Sequence, residues 1–550
     1  MSGIAGFTGR SSFDDVHRFQ DALIHRGPDE QGFFRHEGIA LSHSRLSTFD
    51  LATGRQPIFN EDNTCAIVLD GNIYNHLELR DDLKRRHRFV TATDAEAVLH
   101  LYEEKGTSAS EYLKGEFAFC IWDSRQRTCF LSRDQLGVKP LFYSITPVGD
   151  LVFCSELRTL LLHRGVQDDL DVDAIAEYFT CLYVSGNRTV LKSIRKLQPG
   201  ESLLWKSGVG RTWKYWTIPE PAAQVTRRAE ELNERVRGLL NVAVKRRLTA
   251  DVPVGAFLTG GLDSSLTVAL ASEECRRLHT FSIAHGESDF DEFHRARLVA
   301  ERYGTTHHEF VVLPRADEVI DALIDSIDEP VADPSAITTF LISRKTRDLV
   351  KVVLWGIGGD AMLLSDPHLD GKFSQWLPGV FRRPLASATW LWPSRLSSFL
   401  DPDARKRLSP DFGFIPSGLL QLCDNMTMAH SLEARLPFCD VDLVDEIART
   451  RATPVLRHIA KRYLPEKVVN RTKREFGVPI ARWFRNELKD YVESQFTHSR
   501  LPAVVDFASV RRMWDEHKSG RADHTHALWA VLLLTHWLGK ISGKHVFTAG

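Results

Sequence analysis

Between Val254 and Ser265 the chain reads VGAFLTGGLDSS: a short apolar run, a Thr-Gly-Gly turn, and a helical pattern that starts near Ser264. Two adjacent glycines let the backbone approach an anion closely. Thr259, Ser264, Ser265 and the amides of a helix N-terminus can then donate to phosphate oxygens. An aspartate in such a loop repels phosphate unless a cation intervenes, so Asp263 reads as a magnesium ligand. The simpler alternative is a strand–turn–helix with glycine at the turn, but the string TGGLDSS is far more restricted than a lone glycine pair.

A second apolar run, Val352–Leu354, leads into Trp355-Gly-Ile-Gly-Gly-Asp360. The residues from Gly356 to Ala361 nearly fit a dinucleotide-binding fingerprint. That reading leaves TGGLDSS unexplained, and the helix it requires after Ala361 meets Pro367. Gly358 and Gly359 cradling a pyrophosphate, with Asp360 as a second magnesium carboxylate, accounts for both strings.

The elements that must hold these loops change character along the chain. Residues 2–205 are strand-rich, with short apolar runs (Cys65–Leu69, Ala118–Trp122, Leu151–Cys154) between Gly, Asp and Asn turns, and helical periodicity at Leu77–Lys84 and Ala95–Lys105. This predicts a layered α/β/β/α or α+β domain over 1–205. Gly208, Gly210, Pro219 and Pro221 predict a linker over 206–225. Beyond it, helices at Arg228–Leu248, Ser264–Cys275 and Ala336–Asp348 alternate with strands at Val254–Leu258, Thr280–Ile283 and Lys351–Leu354. That alternation predicts a parallel sheet with crossover helices in a second domain over 226–550.

The 550 residues carry 70 Lys+Arg against 72 Asp+Glu, a net charge of -2, which gives no support for binding to nucleic acid or a membrane surface. The longest apolar run, Ala527–Leu534, is too short to span a bilayer and reads as a buried helix. No signal peptide is expected, and eight cysteines without CxxC pairing read as free thiols of a reducing cytoplasm.

The two loops and their companions resemble the glutamine-dependent asparagine synthetase family over nearly the whole chain. TGGLDSS is similar to that family's SGGLDSS, and GIGGD stands where it has GEGGD. DEPVADPSAITTFLISR (328–344), HSLEARLPFCD (430–440) and NRTKREFGVPIARWF (470–484) match in order. So do HRGPDE (25–30), LSHSRLSTFD (41–50), DGNIYN (70–75), TDAE (93–96) and SRDQLGVKPLFY (132–143). The resemblance implies an N-terminal αββα domain of the N-terminal-nucleophile type, similar to class II glutamine amidotransferases. It implies a parallel-sheet ATP-pyrophosphatase domain after it. ATP and Mg2+ would activate a carboxylate as an acyl-adenylate, which an amine attacks. Small-molecule carboxylate and amine substrates are implied, and a homodimer is a possible assembly. By the same resemblance Leu258, Ile283 and Gly356 contact the nucleoside, with Ile357, Gly358 and Gly359 in the same site. The Thr259–Ser265 loop, including Gly260, Gly261, Ser264 and Ser265, holds pyrophosphate. Asp263 and Asp360 bind magnesium, and Lys473 stabilises charge developing on the phosphates.

The sequence departs from the family in two places. Where the family has a nucleophilic cysteine after the initiator Met, this chain has Ser2, a much poorer nucleophile near neutral pH. Loss of Met1 would still leave a free amine to serve as its base. The family's NGE, which stabilises the oxyanion and holds the glutamine amine, reads Asp70-Gly71-Asn72. Asp70 would repel an oxyanion, and Asn72 lacks the carboxylate that pairs with the glutamine ammonium. Arg45 and Asp94 of the glutamine site persist. These coincident losses predict a glutaminase-like domain without hydrolysis, kept as a structural cover. An engineered or still working Ser2 in a conventional glutamine-hydrolysing enzyme is the alternative.

The second departure is Ile357, where the family has Glu. An amine already neutral at pH 7, an apolar acid pocket or an inactive synthetase would each explain it. AMLLSDPHLDGKF after Asp360 also differs from the family, which puts aspartate as the acid in doubt. A non-catalytic nucleotide sensor is the reading from another class. Glu329 and Asp333 lie in a stretch that lines the family's acid pocket, although Asp333 before Pro334 equally fits a helix cap. His307-His308-Glu309 reads as a strand edge rather than a metal site. His524, His526 and His536 read as surface and core positions, and Trp376–Trp392 as core or pocket cover.

Overall fold

In the strand Ser2–Thr8, Ile4 faces one apolar cluster while Ala5 and Phe7 face another. Strand Cys65–Ile73 alternates likewise, with Ala66 and Val68 on one side and Ile67 and Leu69 on the other. This period of two, apolar on both faces, requires a strand to be covered on both sides. The computed structural model describes residues 2–9, 13–36, 38–219, 229–284, 290–312, 316–359, 418–450, 455–470, 478, 480–497 and 507–545.

Two six-stranded antiparallel sheets stack face to face in the N-terminal part. The first runs Arg195–Lys196, Phe142–Ile145, Leu151–Cys154, Ser2–Thr8, Ile39–Arg45, Glu30–His36 across the sheet. The second runs Val209–Lys214, Glu201–Lys206, Thr128–Arg133, Gly115–Asp123, Cys65–Ile73, Ile58–Phe59. Ile4, Leu41, Val68, Cys120 and Phe153 fill the space between them. Helices Phe13–Ala22 and Val172–Cys181 cover the outer face of the first sheet, and helix Asp94–Lys105 covers that of the second. This is the expected αββα order. One correction concerns the linker. Val209–Lys214, inside the stretch expected to connect the domains, is the edge strand of the second sheet. The Ser207-Gly208 pair, both at positive φ, is a hairpin turn returning the chain onto Glu201–Lys206.

The C-terminal part is built on a five-stranded parallel sheet. Its order is Thr306–Val311, His279–Ala284, Val254–Phe257, Val352–Leu354, Glu433–Arg435. Helices lie on both faces. Val254, Ala256, Val352 and Leu354 pack toward helices Ala229–Arg247 and Leu262–Glu274. Phe257, Phe281 and Val353 pack toward Ser335–Thr346 and Leu420–Met428. Burial on both faces explains the near-continuous apolar runs. Helix Thr525–His545 buries Leu528–Leu534 completely, as expected of that run. Among the described residues no helix is long and apolar enough to cross a membrane.

The core cluster on the outer face of the first antiparallel sheet does not end at the domain seam. Phe7, Val152 and Tyr178 belong to one buried cluster with Leu323, Phe340, Met426 and Trp529. The Tyr178 hydroxyl donates to the Ala530 carbonyl at 2.9 Å within it.

Candidate functional site

In the parallel sheet the chain moves outward from Val254–Phe257 through His279–Ala284 to Thr306–Val311. It then returns to the other side of Val254–Phe257 with Val352–Leu354. The crevice where this order reverses, beyond the carboxyl ends of Val254–Phe257 and Val352–Leu354, is where open parallel sheets bind ligands. Both glycine loops emerge there. Leu258 is fully buried and its N–H donates to the Phe281 carbonyl at 2.8 Å. Ile283 ends buried on the neighbouring strand.

Thr259 shapes the first loop. Its hydroxyl lies 3.0 Å from the Ser264 hydroxyl and accepts from the Gly261 N–H at 3.3 Å. Gly260 adopts φ +69, and a Cβ there would lie 2.9 Å from the Glu292 carbonyl oxygen. Gly261 is the N-cap of helix Leu262–Glu274 and offers no side-chain acceptor. The amides of a 13-residue helix thus open toward the crevice without a protein side chain capping them. Ser265 is fully buried.

The second loop presses against this helix start. A Cβ on Gly356 would lie 2.7 Å from the Asp263 carbonyl carbon and the Ser264 nitrogen, and one on Gly359 would lie 2.8 Å from Asp263 Cγ. Gly358 has φ +94. Only glycines fit this approach, and they bring Asp263 beside the loop that continues into Asp360. Bare backbone around helix amides, with a carboxylate at the rim, fits a magnesium-bound phosphate chain. Asp360 and Lys473 lie outside the described residues, as does Trp376–Trp392. Ile357 is half-buried and packs on the large core cluster.

Glu329 is buried, and Lys196 of the N-terminal part donates to it at 2.8 Å. Burial pushes its carboxyl up in spite of that lysine. Asp333 accepts from the Ser335 N–H at 2.8 Å, where helix Ser335–Thr346 begins. His307 bonds Thr280 at 2.9 Å and His308 stacks on His279, so that pair lies along the sheet. His524 meets Glu516 and His536 meets Asp321 and Tyr491, in separate places.

The second candidate site lies between the antiparallel sheets, where the period of two carries polar residues onto the inner face. Ser2 follows Ile4's side, His43 and Arg45 follow Leu41's, and Asp70 and Asn72 follow Val68's. Ser2 pairs in register with Arg45. The fully buried Asp70 accepts from the Ser2 nitrogen at 2.7 Å and from Arg26 at 3.1 Å. Gly71, at φ +118, would carry a Cβ 1.9 Å from the Glu116 carbonyl oxygen. Asn72 donates to Glu433 of the C-terminal part at 2.9 Å. Arg45 is held by Glu30 and by the Asp50 and Phe49 carbonyls at 2.6 and 2.9 Å. Asp94 accepts from the Ile73 N–H at 2.7 Å.

Residues that sequence reasoning did not single out complete this region. Arg26 donates to Asp424 at 2.7 Å and to the Ser2 carbonyl at 3.0 Å, and Lys139 donates to Asp424 at 2.7 Å. Burial opposes ionisation of Asp424, but Arg26 and Lys139 outweigh it and hold its carboxyl down at about 2. Glu433 accepts from Thr48 at 2.7 Å and Arg435 at 2.5 Å, and Arg435 holds it well below the usual carboxylate range against the cost of burial. Burial lowers the His43 imidazole to about 3, so it is neutral beside Ser2's strand. Arg26 and Glu433 stand inside the motifs HRGPDE and HSLEARLPFCD. Their types gave a signal, but nothing in the sequence paired them.

Two family models match the chain: asparagine synthase over residues 235–539 and a glutamine amidotransferase domain over residues 1–216. A putative glutamine-hydrolyzing asparagine synthetase of Mycobacterium tuberculosis is 32% identical, covering 98% of this chain and 95% of the relative. Glutamine-hydrolyzing asparagine synthetase 1 of Bacillus subtilis is 28% identical, covering 95% and 93%. Asparagine synthetase 3 of Arabidopsis thaliana is 35% identical, covering 87% and 78%.

Proposed function

Since the chain belongs to the asparagine synthase family, we propose that it is an ATP-dependent synthetase that activates a carboxylate as an acyl-adenylate, releases pyrophosphate, and forms an amide with an amine or small nitrogen nucleophile that its own glutaminase-like domain does not supply. The observation that carries this reading is a contrast between the two sites. The nucleotide crevice keeps its glycine cradle and its uncapped helix start. In the other site the Asp70 carboxylate is spent on Ser2 and Arg26, and Asn72 is engaged by Glu433.

In this reading the Thr259–Ser265 loop and Gly358-Gly359 bind the phosphates by backbone amides and hydroxyls, and Leu258, Ile283 and Gly356 flank the nucleoside. Asp263, with Asp360, would hold magnesium, which supplies charge neutralisation for the triphosphate. Lys473 adds a fixed positive charge where negative charge accumulates on departure of pyrophosphate. Ile357 cannot take a proton, so the amine must arrive neutral or lose its proton elsewhere. Asp70 places negative charge where the hydrolysis of glutamine would develop more of it.

The relatives' names favour a second reading, a conventional glutamine-hydrolyzing asparagine synthetase. Two assays separate the readings: magnesium-dependent ATP–pyrophosphate exchange over aspartate and other carboxylates, and glutamate release from glutamine. Exchange with at least one acid and no glutamate release is expected. Glutamate release that keeps pace with synthesis would establish the conventional enzyme. Bound ATP with no exchange over a broad panel of acids would favour the nucleotide sensor.

A further inference from the structure

On the outer helical layer of the αββα part, four potential ligands from three segments converge. Glu61 lies in the turn after strand Ile58–Phe59, and His87 follows helix His76–Leu83. His100 and Glu103 stand one turn apart on helix Asp94–Lys105. Among the described residues this is the one group of three or more His, Cys, Asp or Glu side chains whose ligand atoms all fall within 4.8 Å of one another.

Three of the separations, measured to one or the other oxygen of Glu61, approach those of a coordination shell, and the fourth, His100 to Glu103, is a hydrogen bond that a bound ion would replace. His87 Nδ1 lies 3.5 Å from Glu61 Oε1 and 3.6 Å from Glu103 Oε2. His100 Nδ1 lies 3.8 Å from Glu61 Oε2 and 2.7 Å from Glu103 Oε2. Four ligands at zinc's bond lengths of about 2.0–2.1 Å stand roughly 3.3–3.4 Å apart in a tetrahedron. Both imidazoles turn the same nitrogen, Nδ1, inward, and their rings lie nearly parallel with centroids 4.5 Å apart.

A second layer of contacts orients the four. The outward Nε2 of His87 meets Glu104 Oε1 at 3.1 Å, and that of His100 faces Glu96 Oε1 at 3.8 Å. Asn60 donates to Glu103 at 2.6 Å, and the Arg88 N–H donates to Glu61 at 2.8 Å. Carboxylates behind metal-bound histidines and hydrogen bonds on ligating carboxylates are how proteins fix a metal's first shell. Isolated surface ion pairs need no such support, and His100 is only 1% exposed.

We propose that Glu61, His87, His100 and Glu103 bind one zinc ion. Two imidazole nitrogens and two carboxylate oxygens in a four-coordinate set suit zinc, whereas calcium and magnesium take shells of oxygen. Four protein ligands close the shell, so the ion is structural. It pins the turn at Glu61 and the loop after helix His76–Leu83 to helix Asp94–Lys105, the element whose first residue holds the Ile73 N–H beside the Ser2 site.

The test uses the full chain, purified without a polyhistidine tag, with zinc counted by elemental mass spectrometry. About one zinc per chain is expected, with an absorption-edge spectrum of nitrogen and oxygen ligands and no sulfur. His87→Ala and Glu61→Gln change half-buried or exposed groups. Each should lose at least tenfold in bound zinc while retaining the circular dichroism of the parent. A chelator should lower the melting temperature of the parent, and added zinc should restore it; neither should move the variants. Zinc retained by both variants, a sulfur shell, or a parent that neither contains nor takes up zinc would overturn the proposal. A different divalent metal lost in the same two variants would overturn the assignment of zinc.

Discussion

Restoring hydrolysis to the Ser2 site tests the proposal that Asp70 silences it. Once Met1 is removed, the nitrogen 2.7 Å from Asp70 Oδ1 is an α-amine that can serve as base for the Ser2 hydroxyl. Such an amine ordinarily titrates at about 7.7–8.0, and a carboxylate in contact moves a charged partner by roughly 1–3 units toward its charged form. A rise of about 2 units from about 7.8 cuts the neutral fraction at pH 7.5 from roughly a third to about 0.5%, a factor of ~70. Arg26 holds the other oxygen of Asp70 at 3.1 Å. Replacing an oxyanion donor by a repelling carboxylate removes a further ~100–1,000-fold. On the proposed reading, Asp70 alone would suppress hydrolysis by about four to five orders of magnitude.

The comparison is Ser2→Cys/Asn72→Glu with and without Asp70→Asn, assayed by glutamate release against pH. With Asp70 present, turnover should stay near background and climb only above about pH 9. Adding Asp70→Asn should raise turnover by about 10⁴ and bring the basic limb down toward pH 8. The scaffold tolerates the change because Arg26 keeps Asp424 at 2.7 Å and Glu156 at 3.6 Å. Full glutaminase activity in the variant that retains Asp70, or an unmoved pH limb after its replacement, would refute the argument.

Gly356→Ala should lower ATP–pyrophosphate exchange by about 100-fold, since the new methyl meets Asp263 and Ser264 backbone at 2.7 Å and displaced phosphate ligands cost about that much. Gly539→Ala, with open space around it, should leave exchange unchanged. Arg26→Met should cost about 3–5 kcal/mol in urea unfolding by leaving buried Asp70 without its guanidinium and Asp424 with Lys139 alone, and adding Asp70→Asn should recover part of it. His43 titrates at about 3 when folded and near 6.5 when unfolded, so its contribution is complete above pH 6.5 and is lost as pH falls toward 3. His43→Gln should flatten the fall in unfolding free energy between pH 6 and 4 by about 1.4 kcal/mol per unit.

The pairing of the two glycine loops at a helix start was legible in the sequence because its determinants are local. A strand, two glycines and a helix start lie within twelve consecutive residues, and the only non-local requirement, the neighbouring strand Val352–Leu354, announces itself by a second glycine loop. The reversal of strand order follows from topology and needed the structure. The turn at Ser207-Gly208 was misjudged because glycine marks a hairpin and a linker alike, and pairing with Glu201–Lys206 decides between them. The charged seam was illegible for a different reason. Arg26 meets Asp424 across 398 positions and Asn72 meets Glu433 across 361, and an Arg or a Glu in sequence says nothing of its partner. The four-ligand cluster left one faint trace, a His and a Glu one helical turn apart at 100 and 103.

That seam also bears on why a domain without hydrolysis would be kept. Asp424, Glu433 and Glu329 all belong to the C-terminal part, all are buried, and each takes charged or polar partners from the N-terminal part: Arg26 and Lys139, Thr48 and Asn72, and Lys196. Removing one partner of a buried ion pair costs about 3–5 kcal/mol, because the remaining charge is desolvated without compensation. The continuous apolar cluster from Phe7 to Trp529 would be opened at the same time. Asp70 and Asn72 can drift, since their new side chains find partners within the same network. Arg26, Lys139 and Lys196 cannot, because the folded synthetase half depends on them whether or not glutamine is ever hydrolysed.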